Sequence, residues 1–263
     1  MNDTSREIIE ENIKLHKIEA RSYEGLHPEE FNWFEQAHIM RDLRRLRARI
    51  KGPCIAFDVA CGTGNILFKL LGLDCEVWGV DLSEEMLAVA QNKIPVAWKA
   101  RVKLFRENID DFLRQCETRF DLVTVSSALH HFPDYAGTLR ALCAFVKPGG
   151  YLYIVHEPSE YARVSDRFLR KILWQLDNAL YFALTLGRTP KTEARDYHLS
   201  DYHLYHGFDE TLVCRIIRKE GFSEQGFEYY ASTMRLGISC WIDSRILHSR
   251  PQFCVIARKD FQA

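Results

Sequence analysis

Residues Cys54 to Gly64 read Cys-Ile-Ala-Phe-Asp-Val-Ala-Cys-Gly-Thr-Gly, an apolar run that stops on two glycines one residue apart. Such a run is a buried strand entering a tight turn, where glycine lets the backbone take left-handed angles and lie directly against a ligand. Gly62 and Gly64 are expected to make that room. A second strand-like run, Glu76 to Val80, ends on Asp81 seventeen positions after Gly64. A carboxylate at the end of the second strand is placed to accept both hydroxyls of a ribose.

The same stretch argues against phosphate. A dinucleotide fingerprint needs a third glycine where this chain has Leu67, which disfavours a nicotinamide-dependent oxidoreductase. A phosphate-cradling loop needs Gly-Lys-Ser/Thr, whereas Gly64 is followed by Asn65 and Ile66. A ligand with a ribose and no phosphate remains, and S-adenosylmethionine fits. Asp58 to Gly64 together with Asp81 resembles the class I S-adenosylmethionine-dependent methyltransferases. The similarity is strongest to the small-molecule branch that includes ubiquinone and menaquinone biosynthetic methyltransferases, and it covers residues 20 to 157.

That resemblance implies an α/β fold: a Rossmann-like three-layer sandwich on a seven-stranded, mostly parallel sheet with an antiparallel last strand. It implies S-adenosylmethionine as cofactor, S-adenosylhomocysteine as product, and a methyltransferase activity. Further segments follow in the family's order. Residues 101 to 106 read as a third strand, and the resemblance puts Asn108 and Ile109 against adenine, with Asp110 as the alternative if the register slips by two. Phe120 to Ser126 reads as a fourth strand, with Ser126 at the cofactor. Val146 to Gly150 is read as a turn that starts a fifth strand, Tyr151 to Val155. Leu82 and Met86 are adenine walls or ordinary core, and Ala60 stands where many relatives carry glycine. Asp58 either holds the glycine turn or meets the ligand's amino group. Tyr23, closing the segment Lys17 to Tyr23, is expected over the cofactor. Asp81 has a competing role as N-cap of the helix that begins at Leu82, which Ser83 could fill equally well.

The chain is expected to form one domain: an N-terminal helical cap at 1–51, a cofactor-binding core at 52–157, a helical insertion or lid at 158–207, and the rest of the sheet at 208–263. Its closing elements are read as a helix at 208–220, a sixth strand at 224–232 and a seventh at 253–259, with a second insertion at 233–251. Phe168, Leu169, Ile172, Leu173, Leu176, Leu180, Ala183 and Leu184 recur at helical spacing, opposite Arg167, Lys171, Gln175 and Asp177. That amphipathic helix is expected to pack its apolar face on the main domain, with a lid or dimer contact as alternatives. After it, His198, Tyr202 and His203 are candidates for the substrate.

Net charge of −1 gives no electrostatic reason to bind nucleic acid or anionic membrane. The eight cysteines include no Cys-x-x-Cys pair, and the histidines match no standard ligand spacing, so neither a metal nor a disulfide framework is expected. No basic-then-apolar leader and no run of about 18 apolar residues is present, which points to a cytoplasmic chain, monomer or homodimer, without a membrane span. Methyl transfer mainly needs alignment and exclusion of water, and a base adds to it where the acceptor loses a proton. His131, His156 and His130, in that order, stand at strand ends facing the crevice. Aromatic and aliphatic residues in both insertions suggest an apolar or aromatic small-molecule acceptor. The competing reading is a catalytically silent S-adenosylmethionine-binding sensor or partner subunit.

Overall fold

The computed structural model describes residues 3–163, 168–188, 199, 203 and 208–261. Four helices lead in: α1 (Asp3–Glu19), α2 (Tyr23–Leu26), α3 (Pro28–Phe31) and α4 (Trp33–Arg49). The core then alternates β1 (Cys54–Val59), α5 (Asn65–Gly72), β2 (Cys75–Asp81), α6 (Glu84–Lys93), β3 (Val102–Arg106), α7 (Ile109–Gln115), β4 (Phe120–Ser126), α8 (Tyr135–Phe145) and β5 (Val146–Pro158). After α9 (Phe168–Leu184), the chain closes with α10 (Glu210–Lys219), β6 (Phe222–Tyr230), α11 (Gly237–Arg245) and β7 (Gln252–Lys259).

The seven strands lie in the order β3-β2-β1-β4-β5-β7-β6. β1 to β5 run parallel, and β7 is antiparallel to both β5 and β6. The order reverses between β1 and β4, and in open sheets of this kind the crevice beyond that switch point holds the ligand. Helices cover both faces, so the central strands are buried on both sides and read as nearly continuous apolar runs. On one face Phe57 stacks on Phe112 and Phe120, with ring centroids 5.1 and 4.7 Å apart. On the other, α5 buries Ile66, Leu67, Leu70 and Leu71 beside Ile39, Leu43 and Leu46 of α4. Burying each such side chain contributes about 2 kcal/mol.

Two expectations need correcting. Residues 146–150 are part of β5, where a register shift between Phe120 and Leu122 absorbs Gly149 at φ 79°. The second concerns α9, whose apolar stripe is largely exposed. Phe168 is 75% exposed and Leu176 62%, with Leu169, Leu180, Phe182 and Leu184 also exposed, whereas Asp177 is 2% exposed. The helix is held through two charged side chains, Asp177 and Arg170. Asp177 accepts the backbone N–H groups of Arg235 and Leu236 at 2.9 and 3.0 Å, and Arg170 reaches Asp243 at 2.9 Å and Thr233 at 2.7 Å. Those bonds satisfy the backbone that leads into α11, which apolar side chains could not do.

Candidate functional site

The turn after β1 is built from positive backbone angles at Ala60 (φ 52°), Gly62 (φ 51°) and Gly64 (φ 97°). A Cβ on Gly62 would meet nothing within 4 Å, because that side of the turn opens into a cavity of about 650 Å³. Gly64 has a different reason to be glycine: a Cβ there would come within 2.5 Å of the Phe68 ring, and the residue does not line the cavity. Of the two glycines expected to make room, Gly62 thus faces the cavity, whereas Gly64 faces Phe68.

Asp81 sits at the end of β2 with one carboxylate oxygen accepting the Gly62 N–H and the other the Ser83 N–H, both at 2.8 Å. Each oxygen keeps a lone pair for a further donor. Burial raises its pKa. The helix-cap alternative fails, because the Ser83 side chain caps α6 by accepting the Met86 N–H at 3.2 Å. Asp58 is buried under the turn. Thr124 donates to its Oδ1 at 2.8 Å, Oδ2 has no hydrogen-bond partner among the described residues, and burial pushes its pKa up to about 7 against the Thr124 hydrogen bond. An unpaired carboxylate oxygen at a cavity wall is a place for a cation.

Ala60, Leu82, Met86, Asn108, Ile109 and Ser126 all line this cavity, and so does Asp110. Asn108 is the N-cap of α7, its side-chain oxygen accepting the Asp110 N–H at 2.9 Å. The oxygen keeps a second lone pair for a further donor, so the cap does not take Asn108 out of the cavity. The Asp110 carboxylate, which takes the Thr138 hydroxyl at 2.9 Å, is the acceptor beside it. Helix α1 closes the cavity from above with Ser5, Ile9, Asn12, Ile13 and His16.

A second cavity of about 720 Å³ adjoins the first. His16, Tyr23, Glu30, Ser127 and His131 line both and so form their common border. Tyr23 and Ser127, the latter at φ 50°, both donate to Glu30 Oε1, at 3.2 and 3.3 Å. Burial raises the Glu30 pKa. Around them His27 lies between Glu19 (3.1 Å) and Glu29 (3.5 Å); hydrogen bonds to both overcome the opposing effect of burial and lift it to about 10. His16, Glu19, His27, Glu29 and Glu30 were not singled out from sequence. His16 and Glu19 lie at the end of α1, His27 between α2 and α3, and Glu29 and Glu30 on the four-residue α3, and only the folding of α1 to α3 over the sheet brings them together.

The three expected histidines separate. His131 is at the border of the two cavities. His130 lines the second cavity, but its Nδ1 donates to Glu157 at 2.7 Å, and that buried carboxylate also accepts the backbone N–H groups of Ala128, Leu129 and His130. Glu157 thus holds the whole turn after β4, and His130 is part of the clamp. His156, at φ 59°, has Nδ1 3.1 Å from Glu35 and Nε2 2.7 Å from the Gln252 side-chain nitrogen. Glu35 raises its pKa to about 9 against the opposing effect of burial. Glu35 and Gln252 thus flank the His156 ring on both sides. His203 donates from Nε2 to the backbone oxygens of Phe132 and Pro133 at 3.0 and 3.2 Å and lines neither cavity, so its expected place at the substrate is corrected. His198 and Tyr202 lie outside the described residues.

Residues 57–152 match a family model described as a methyltransferase domain. The chain is similar to the demethylmenaquinone methyltransferase of Shouchella clausii, 38% identical over 98 residues, which are 36% of this chain and 41% of the relative. It is also similar to the ubiquinone biosynthesis O-methyltransferase of Albidiferax ferrireducens, 33% identical over 96 residues, 36% of this chain and 38% of the relative. The chain thus spans about two fifths of the length of these relatives. Among solved structures, a magnesium protoporphyrin IX methyltransferase of Synechocystis PCC 6803 superposes with a TM-score of 0.56 at 14% identity, covering 95% of this chain and 97% of that one. A methyltransferase of Mesorhizobium loti superposes at 0.52 with 22% identity, covering 82% and 96%. These likenesses show the fold.

Proposed function

We infer that this chain, whose core is a class I S-adenosylmethionine-dependent methyltransferase domain, transfers a methyl group from S-adenosylmethionine to a small-molecule acceptor. The observation that carries the reading is the first cavity: a bare Gly62 backbone, the Asp81 carboxylate at the strand end and the unpartnered Oδ2 of Asp58 on one wall. These groups fit the cofactor's chemistry end by end. Asp81 takes the ribose hydroxyls, Asp58 the amino-acid ammonium, and Leu82, Met86 and Ile109 flank the adenine with Asp110 as its acceptor. The solved relative from Synechocystis has S-adenosylmethionine bound, which supports the same assignment here.

When bound, S-adenosylmethionine supplies an electrophilic methyl group on a sulfonium. The chain's own part is alignment and proton handling. Helix α1 covers the first cavity and keeps water from it, while the second cavity receives the acceptor. The border residues His16, Tyr23, Glu30, Ser127 and His131 orient the acceptor atom, and a base among them takes its proton. The quinone-related relatives support a small acceptor. Calorimetric titration with S-adenosylmethionine, S-adenosylhomocysteine and NADH tests the reading. Binding of the first two is expected; NADH binding alone, or none, would overturn it.

A further inference from the structure

The second cavity gathers carboxylates, imidazoles and cations on its lining. Apart from Leu15, Pro158, Trp174, Met234 and Pro251, every side chain that lines it carries a polar or charged group. Its inner wall, from α1 through α4, holds Glu19, Glu29 and Glu30, with Glu35 directly behind His156. Two imidazoles, His27 and His156, face these four carboxylates. Among the described residues, Glu35 Oε2 is buried without a hydrogen-bond partner. The cations on the lining come from α9: Arg170 is held by Asp243 and Thr233, and Lys171 stands beside it.

Glu30 is the one carboxylate on this wall that also borders the cofactor cavity. Tyr23 and Ser127 both donate to Oε1, and among the described residues no donor reaches Oε2. We propose that the acceptor presents a protonated amine to Glu30, and that Glu30 Oε2 receives the proton that this nitrogen must lose before it is methylated. This rests on the methyl-transfer reading above. The proton passes from ammonium to carboxylate, giving a neutral amine and a carboxylic acid. The freed lone pair then forms the N–C bond as the sulfur–methyl bond breaks, its electron pair remaining on sulfur as the thioether. A cation offsets the desolvation of a half-enclosed carboxylate, whereas a carboxylate or phosphate acceptor would meet like charge.

The test uses the full chain saturated with S-adenosylhomocysteine and three matched probes: phenethylamine, 2-phenylethanol and 3-phenylpropanoate. Calorimetry should show the amine bound about tenfold tighter than the alcohol, as one charge-assisted hydrogen bond gives, and the carboxylate weakest. Glu30→Gln keeps a side-chain oxygen for Tyr23 and Ser127 and should equalise amine and alcohol; its affinity for S-adenosylhomocysteine reports that the fold holds. The proposal is overturned if the alcohol or the carboxylate matches the amine, if none of the three binds, or if Glu30→Gln keeps the preference. Failure to bind S-adenosylhomocysteine at all would instead bring down the methyl-transfer reading itself.

Discussion

Asp58 should tie cofactor affinity to pH. Its carboxylate is buried, takes a single hydrogen bond from Thr124 on Oδ1, and titrates near about 7 because burial disfavours its charge. A ligand ammonium beside Oδ2 favours the charged form and lowers that pKa. The ligand-free protein then holds a proton that binding must expel. At pH 6 roughly nine-tenths of Asp58 is protonated, at pH 7 about half, and at pH 8 about one-tenth. Affinity for S-adenosylhomocysteine should therefore rise about tenfold, or ~1.4 kcal/mol, between pH 6 and pH 8. Calorimetry at pH 7 in two buffers of different ionisation enthalpy should find about half a proton released per ligand, and Asp58→Asn should remove both effects. Flat affinity from pH 6 to 8 with no proton release would refute the reasoning. So would an Asp58→Asn protein that still releases the proton.

Other positions test the packing. Ala60 holds a left-handed φ of 52°, so Ala60→Gly should raise stability in urea by about 1 kcal/mol, and a loss would mean the turn is not strained. Glu157→Gln puts an amide donor against the N–H groups of the β4 turn and His130, and should lower stability by more than about 2 kcal/mol with a matching fall in Tm. On α9, Leu176→Gln should stay within about 0.5 kcal/mol of the parent, whereas Asp177→Ala should cost about 2 kcal/mol. The opposite ranking would show that the helix packs by its apolar stripe after all.

The parallel strands were legible because strands buried on both faces have little choice but to be apolar runs, and Cys54 to Val59 and Phe120 to Ser126 are such runs. Asp81 was legible because its place depends on one turn and one strand end. Reach across the fold was not. Helical spacing showed that α9 has an apolar and a polar stripe but not which one faces inward; the unmet backbone donors of Arg235 and Leu236 decided that, more than fifty residues away in sequence. His156 was read as a base from its position at a strand end, and only the fold shows Glu35 and Gln252 on either side of its ring. Glu30 sits in a four-residue helix with no pattern around it, and its meeting with Ser127 spans ninety-seven positions.

A structure of the chain co-crystallised with S-adenosylhomocysteine tests the central claim most directly. The account predicts ligand density in the cavity beneath α1, with the ribose hydroxyls on Asp81, the ammonium on Asp58 Oδ2, the adenine between Leu82 and Ile109, and the sulfur turned toward the border at Glu30 and His131. Density elsewhere, or a reversed ligand with its adenine against Asp58, would contradict it.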